Sequence, residues 1–139
     1  MRRALIWFGG APDPRHYRSM ESYRSLHVWQ RAHSLVITAL RETDRARHPK
    51  NWAVFDQMRR AVVSVEANIV EGYALRAPRQ FRRHLRIALG SAAESECLVR
   101  SAGELGYLPD TVVQEIVALT NSTIGLLLGL LRQSISIEK

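Results

Sequence analysis

Gln57–Leu75 reads QMRRAVVSVEANIVEGYAL, and the spacing of its polar groups decides the fold. At about 100° per residue, Gln57, Arg60, Ser64, Asn68 and Glu71 fall on one narrow arc of a helix. Val54, Met58, Ala61, Val62, Val65 and Ile69 fill the adjoining arc, and Val63 and Val70 lie further round, interrupted by Arg59 and Glu66. A surface helix needs only one apolar stripe. The extra valines therefore predict a central helix or a subunit interface. A polar arc that faces inward must pair its groups, because unpaired buried charges are very costly. Ser91 and Glu94, further along the chain, are the available partners. The expected network sets Arg60 against Glu94 or Glu71, with Asn68 and Ser64 filling the remaining bonds and fixing helix register. In that arrangement Arg60→Ala lowers the melting temperature sharply.

Outward from this stretch, three more helical patterns appear. Leu26, Trp29, Ala32, Leu35, Val36, Ala39 and Leu40 recur at helical spacing after Ser25, a good N-cap, and the pattern stops at Pro49. Pro78 opens a third pattern as a favoured first helical residue, which closes near Gly103–Gly106. Pro109–Asp110 opens a fourth, with Val112, Val113, Ile116, Leu119, Ile124, Leu127, Leu130 and Leu131 on its apolar face and fraying by about Gln133. The expected helices are thus about 26–47, 52–73, 78–104 and 110–133. No strand alternation competes. Short loops make successive helices antiparallel neighbours, so the expected architecture is an all-α, up-down antiparallel four-helix bundle over residues 22–134. Gly9, Gly10, Pro12 and Pro14 break the first segment, so residues 1–21 are expected to form a mobile N-terminal tail, with Met20 a candidate start, and 135–139 a C-terminal tail.

A chain of 139 residues is one domain by the usual prior and long enough to bury a core. No run approaches about 18 uninterrupted apolar residues, so no membrane span is expected. Cys97 is the only cysteine, which rules out an intrachain disulfide and is compatible with the cytoplasm. As a lone cysteine it is expected to be a small packing residue. No Glu is followed by His three residues later, which argues against a di-iron bundle. His16, His27, His33, His48 and His84 lack metal-ligand spacing. There is no Gly-rich phosphate loop and no nucleophile elbow. Ser64 and Ser91 have no obvious base partner. No catalytic residue, metal or cofactor is therefore expected, and the protein is read as a non-enzyme.

The charge is the strongest functional signal. Twenty Lys+Arg against 13 Asp+Glu leave a net +7, nearly all of the basic residues are arginine, and arginine forks match phosphate oxygens well. Arg79, Arg82, Arg83 and Arg86 cluster opposite Phe81, Leu85 and Ala88, with Arg76 just before that helix and Arg100 near the same arc. Arg41, Arg45, Arg47 and Lys50 form a second group at the end of the first helix. Such ridges can engage phosphates without reading bases. A solvated outer face accounts for the same residues. Aromatics are sparse around both groups, so base stacking is not expected.

The segments LHVWQRAHSLV (26–36), QMRRAVVSVEANIVEGYALR (57–76), FRRHLRIALGSAAESE (81–96) and ELGYL (104–108) together resemble the small bacterial four-helix-bundle proteins associated with intervening sequences in large-subunit ribosomal RNA genes. The resemblance runs from about Tyr23 to Gln133. Relatives of that family include the accessory protein of diversity-generating retroelements. The family's Gln-x-x-Arg…Ser…Asn…Glu-Gly pattern falls on Gln57, Arg60, Ser64, Asn68, Glu71 and Gly72, and its Gly-Ser…Glu pattern on Gly90, Ser91 and Glu94. Glu66 stands where the family often has proline, Ala77 where a Ser cap is usual, and His48 where an aromatic precedes Pro49. The resemblance implies a ring-shaped homopentamer. It also implies nucleic-acid binding, or in some members a partnership with a reverse transcriptase. The expected function is a basic, oligomeric, non-enzymatic accessory factor that binds RNA or DNA through phosphate contacts from Arg76, Arg79, Arg82, Arg83, Arg86, Arg41 and Arg45. The alternative is a protein–protein interaction module without direct nucleic-acid binding.

Overall fold

The structure, a computed structural model, describes residues 23–137, with side chains as far as residue 133. The expected tail 1–21 lies outside the described residues. Four α-helices follow in order: α1 (His27–Arg45), α2 (Trp52–Ala74), α3 (Pro78–Glu104) and α4 (Asp110–Ile137), with a single 3-10 turn, Pro49–Asn51, between α1 and α2. Among the described residues there is no strand. Each helix packs on its sequence neighbours, and α1 closes the ring against α4. That is the up-down four-helix bundle the periodicity predicts.

Two stacked apolar layers show the antiparallel order. One joins the start of α1 (Val28, Trp29, Ala32) to the end of α2 (Val65, Ile69), the start of α3 (Leu85, Ala88, Ala92) and the end of α4 (Leu127, Leu131). The other joins the end of α1 (Leu35, Val36, Ala39) to the start of α2 (Phe55, Met58, Val62), the end of α3 (Val99, Ala102) and the start of α4 (Ile116). Buried hydroxyls cause no conflict with these layers. Thr43 donates to the Ala39 carbonyl at 2.6 Å and Thr120 to the Ile116 carbonyl at 2.8 Å, so each is satisfied within its own helix.

The α1–α2 corner is built by side chains that replace helix hydrogen bonds. The Asn51 side chain, 1 % exposed, accepts from the His48 amide at 3.0 Å and donates to the Ala46 carbonyl at 2.9 Å. The His48 ring accepts from the Lys50 amide at 3.2 Å, so the residue standing where an aromatic is usual works as a cap. Arg59 reaches across from α2 and donates to the Leu40 carbonyl at 3.1 Å, Thr43 Oγ1 at 3.0 Å and Asp44 Oδ1 at 2.8 Å. A cation at this place also suits the negative C-terminal end of α1.

At the α2–α3 corner the helices nearly touch. A Cβ on Gly72 would lie 2.7 Å from the His84 Cβ and 3.2 Å from the Phe81 ring, so glycine is required there by space. At the α3–α4 corner Gly106 adopts φ +73°, a conformation that costs other L-residues energy, and Tyr107 N–H bonds the Ala102 carbonyl at 2.8 Å.

Several expectations are corrected. The N-cap of α1 is Leu26, with no side-chain cap, rather than Ser25, because residues 23–25 already turn as a 3-10 segment. α4 continues through Ile137 instead of fraying near Gln133, since no glycine or proline interrupts residues 130–139. Cys97 is exposed rather than packed in the core. α2 runs unbroken through Glu66, so the position where proline is usual carries an uninterrupted helix here. By length and mean hydropathy (1.4) Asp110–Gln133 is apolar enough to cross a membrane. Counting uninterrupted runs missed this, because the threonines, serines and glycines of α4 break runs without lowering the mean much. In the bundle the same helix supplies Ile116, Thr120, Thr123, Leu127 and Leu131 to the interior, the role of a core helix.

Candidate nucleic-acid interface

The polar arc of α2 divides between a network and solvent. Gln57 Nε2 donates to Glu94 Oε1 at 2.6 Å, and Ser64 Oγ lies 2.8 Å from Ser91 Oγ. Asn68 Nδ2 donates to the Ser64 carbonyl at 2.8 Å. A carbonyl oxygen can only accept, so the Asn68 amide has one orientation, and its Oδ1 accepts from His84 Nδ1 at 2.9 Å. His84 therefore carries a proton on Nδ1. Glu71 sits at the rim, its carboxylate 3.8 Å from the same nitrogen and 65 % exposed.

Arg60 does not join. It is exposed, and no described residue pairs with it. The wheel explains why. Taking Gln57 as zero, Ser64 and Asn68 lie within roughly 20° of it, whereas Arg60 is rotated about 60° further from the core. The predicted Arg60 pairing with Glu94 or Glu71 is replaced by Gln57 with Glu94 and by His84 with Asn68.

His84 was missed because it carries no metal spacing, yet it lies seven residues before Ser91 and so on the same face of α3. A second cluster was also missed. Glu66 accepts from Trp29 Nε1 at 3.1 Å and from the His33 ring at 2.9 Å, and Trp29 and His33 stack at 4.7 Å. The one-turn spacing of Trp29 and His33 was the available signal. Among the described residues no three His, Cys, Asp or Glu side chains gather as metal ligands would.

The arginines of α3 face outward. Arg79, Arg82, Arg83 and Arg86, with Ile87, line one open concavity of about 490 Å³. Arg79, Arg83 and Arg86 are exposed and Arg82 half-buried. No carboxylate among the described residues pairs with Arg79, Arg83 or Arg86. Arg76 precedes the ridge in a left-handed conformation, φ 51°, directly after the C-cap Leu75. That position favours glycine, and a side chain there costs about 1–2 kcal/mol. Arg100 is set apart by its own bond to Glu96 at 2.8 Å.

Arg41 and Arg45 do not join this ridge. They sit at the end of α1, beside the start of α2, whereas the α3 arginines sit beside the end of α2. Arg59 of α2 meets Leu40 and Asp44 and Asn68 meets His84, so the two groups lie about 14 Å apart along the bundle at their nearest. Arg45 is paired with Glu42 at 3.1 Å, and Arg41 is exposed.

No curated protein matches the chain. A family match exists and spans residues 24–129, which takes in α1, α2, α3, most of α4, the polar network and the arginine ridge. The chain belongs to the 23S rRNA-intervening sequence protein family.

Proposed function

We propose that the protein is a non-enzymatic nucleic-acid-binding accessory factor, working as an oligomer. Its main phosphate contacts come from Arg79, Arg82, Arg83 and Arg86, with Arg76 beside them. One observation carries the reading: four arginines from successive turns of α3 converge on a single open concavity. Arginine forks there meet phosphate oxygens without reading bases. Arg41 and Arg45 extend the basic surface at the far end. No catalytic residue, metal or cofactor enters this reading, and its compartment is the cytoplasm. Self-association rests on the family resemblance. That resemblance implies a pentamer.

The test is titration of RNA and DNA duplexes across salt. Four neutralised phosphates give a logarithmic slope of about −3.6, so affinity falls about 150-fold between roughly 50 and 200 mM salt. Replacing the four α3 arginines with Gln should flatten the slope by the same amount and leave the helical circular-dichroism signal intact. No binding to any nucleic acid at low salt would refute the proposal. The family resemblance also implies a second reading, a module that binds another protein such as a reverse transcriptase. Its mark would be a stable co-purifying protein with little nucleic acid.

A further inference from the structure

The end of the bundle opposite the arginine ridge carries a different arrangement. The Arg47 guanidinium lies 5.3 Å from the centre of the Trp52 ring, and the Lys50 ammonium lies 5.8 Å from the centre of the Tyr107 ring. Trp52 is 48 % exposed. Tyr107 arrives from the α3–α4 corner and is held edge-on by the buried Phe55, at 6.3 Å and 89°. A single exposed aromatic needs no explanation. Two rings at the same end of the bundle, each with a cation over it, form a surface of stated chemistry.

Local charge sharpens it. Two acids of this corner already have partners: Glu42 pairs with Arg45 at 3.1 Å, and Asp44 with Arg59 at 2.8 Å. Arg41, Arg47 and Lys50 have no carboxylate partner among the described residues. Unneutralised cations beside exposed ring faces fit a ligand that is flat and apolar on one side and anionic on the other. An unpaired nucleotide is such a ligand, because every base has a face to stack and every linkage has a phosphate.

We propose that Trp52 and Tyr107, flanked by Arg47 and Lys50, form a second site that takes the unpaired bases of a single strand. The proposal rests on the nucleic-acid reading above and adds to it the strand state of the ligand. Glu104 and Asp110 bracket Tyr107 in the chain, so Trp52 is the principal stacking ring, and Arg47 and Lys50 hold the phosphates on either side.

The test uses the full chain with two probes of equal length, single-stranded oligodeoxythymidine and a DNA duplex. Oligodeoxythymidine should quench tryptophan emission. Trp52→Leu should abolish that component and weaken single-strand binding about tenfold or more, with duplex affinity held within about twofold. Trp52→Phe keeps a ring and should retain most of the affinity. Arg47→Gln with Lys50→Gln should flatten the single-strand salt slope by about 1.4. The variant lacking the four α3 arginines should keep the Trp52-dependent quench while losing duplex binding, which separates the two sites. Duplex binding without any Trp52-dependent effect on the single strand overturns this proposal and leaves the ridge intact. Absence of binding to both probes overturns both. A change in sedimentation on Trp52→Leu, with oligodeoxythymidine binding unaltered, would make the ring part of a contact between copies and would also overturn it.

Discussion

Asn68→Ala and Arg60→Ala, made side by side, test the α2–α3 network. The two positions share one arc in the sequence and part company in the structure. Asn68 donates to the Ser64 carbonyl at 2.8 Å and accepts from His84 Nδ1 at 2.9 Å. Truncation removes both bonds, each worth about 1 kcal/mol, and leaves a half-buried ring N–H without its acceptor, a further cost of about 1 kcal/mol. Glu71, at 3.8 Å and largely exposed, is too far to replace the lost acceptor without moving. The expected loss is about 3 kcal/mol, or about 10 °C in melting temperature for a chain of this size. Arg60 makes no such contact, so Arg60→Ala should stay within about 0.5 kcal/mol. Thermal unfolding followed by circular dichroism separates the two. Equal losses, or a larger loss at Arg60, would refute the network as described. Asn68→Asp is a useful third variant: it keeps the acceptor for His84 but turns a carboxylate toward the Ser64 carbonyl, so it should fall near Asn68→Ala.

Gly72→Ala gains about 1 kcal/mol of helix propensity but sets a methyl 2.7 Å from the His84 Cβ. That atom is fixed to the α3 backbone and cannot rotate away, so overpacking costs about 1–3 kcal/mol, and a net fall of about 3 °C in melting temperature is expected. A rise would show that the two helices are further apart than described. Glu66→Ala strands the indole N–H of Trp29, a residue only 7 % exposed, and should cost about 1–3 kcal/mol. Glu66→Gln keeps an acceptor and should lose less than half of that in the same melting experiment.

Much of the fold was legible because its breaks are chemical. Pro49, Pro78 and Pro109 each mark a boundary within a residue or two of where a helix begins, since proline fits the first helical turn and little else. The errors lie where the signal was softer. Ser25 is a good N-cap by type, but Leu26 occupies the position, because the preceding residues had already turned. Gln133 is the expected fraying point of α4, yet nothing in the residues after it stops a helix. The valines outside the main arc were read as a central helix or an interface. Val63 proves to be 46 % exposed, while Val70 packs against a core layer, so the two neighbours on the wheel meet different surroundings.

The candidate sites show what a helical wheel cannot carry. A wheel keeps angle and discards position along the axis. Angle was enough to set the α3 arginines opposite Leu85 and to put Gln57, Ser64 and Asn68 on the flank that meets α3. It was not enough to choose partners, because Arg60, Glu71 and Asn68 differ by only a few tens of degrees, and that difference decides which group meets a neighbouring helix. Axial position is what separates Arg41 and Arg45 from the α3 ridge, since one group lies at the level of Arg59 and the other toward that of Asn68. Axial position also unites Trp52 with Tyr107. They are distant in the chain and come to the same end of the bundle because α2 begins at the level where α3 ends, with Phe55 of α2 packed edge-on against Tyr107. Base stacking was not expected from the sequence because its aromatics are few. The fold changes that conclusion by gathering two of them beside two cations at one end of the bundle.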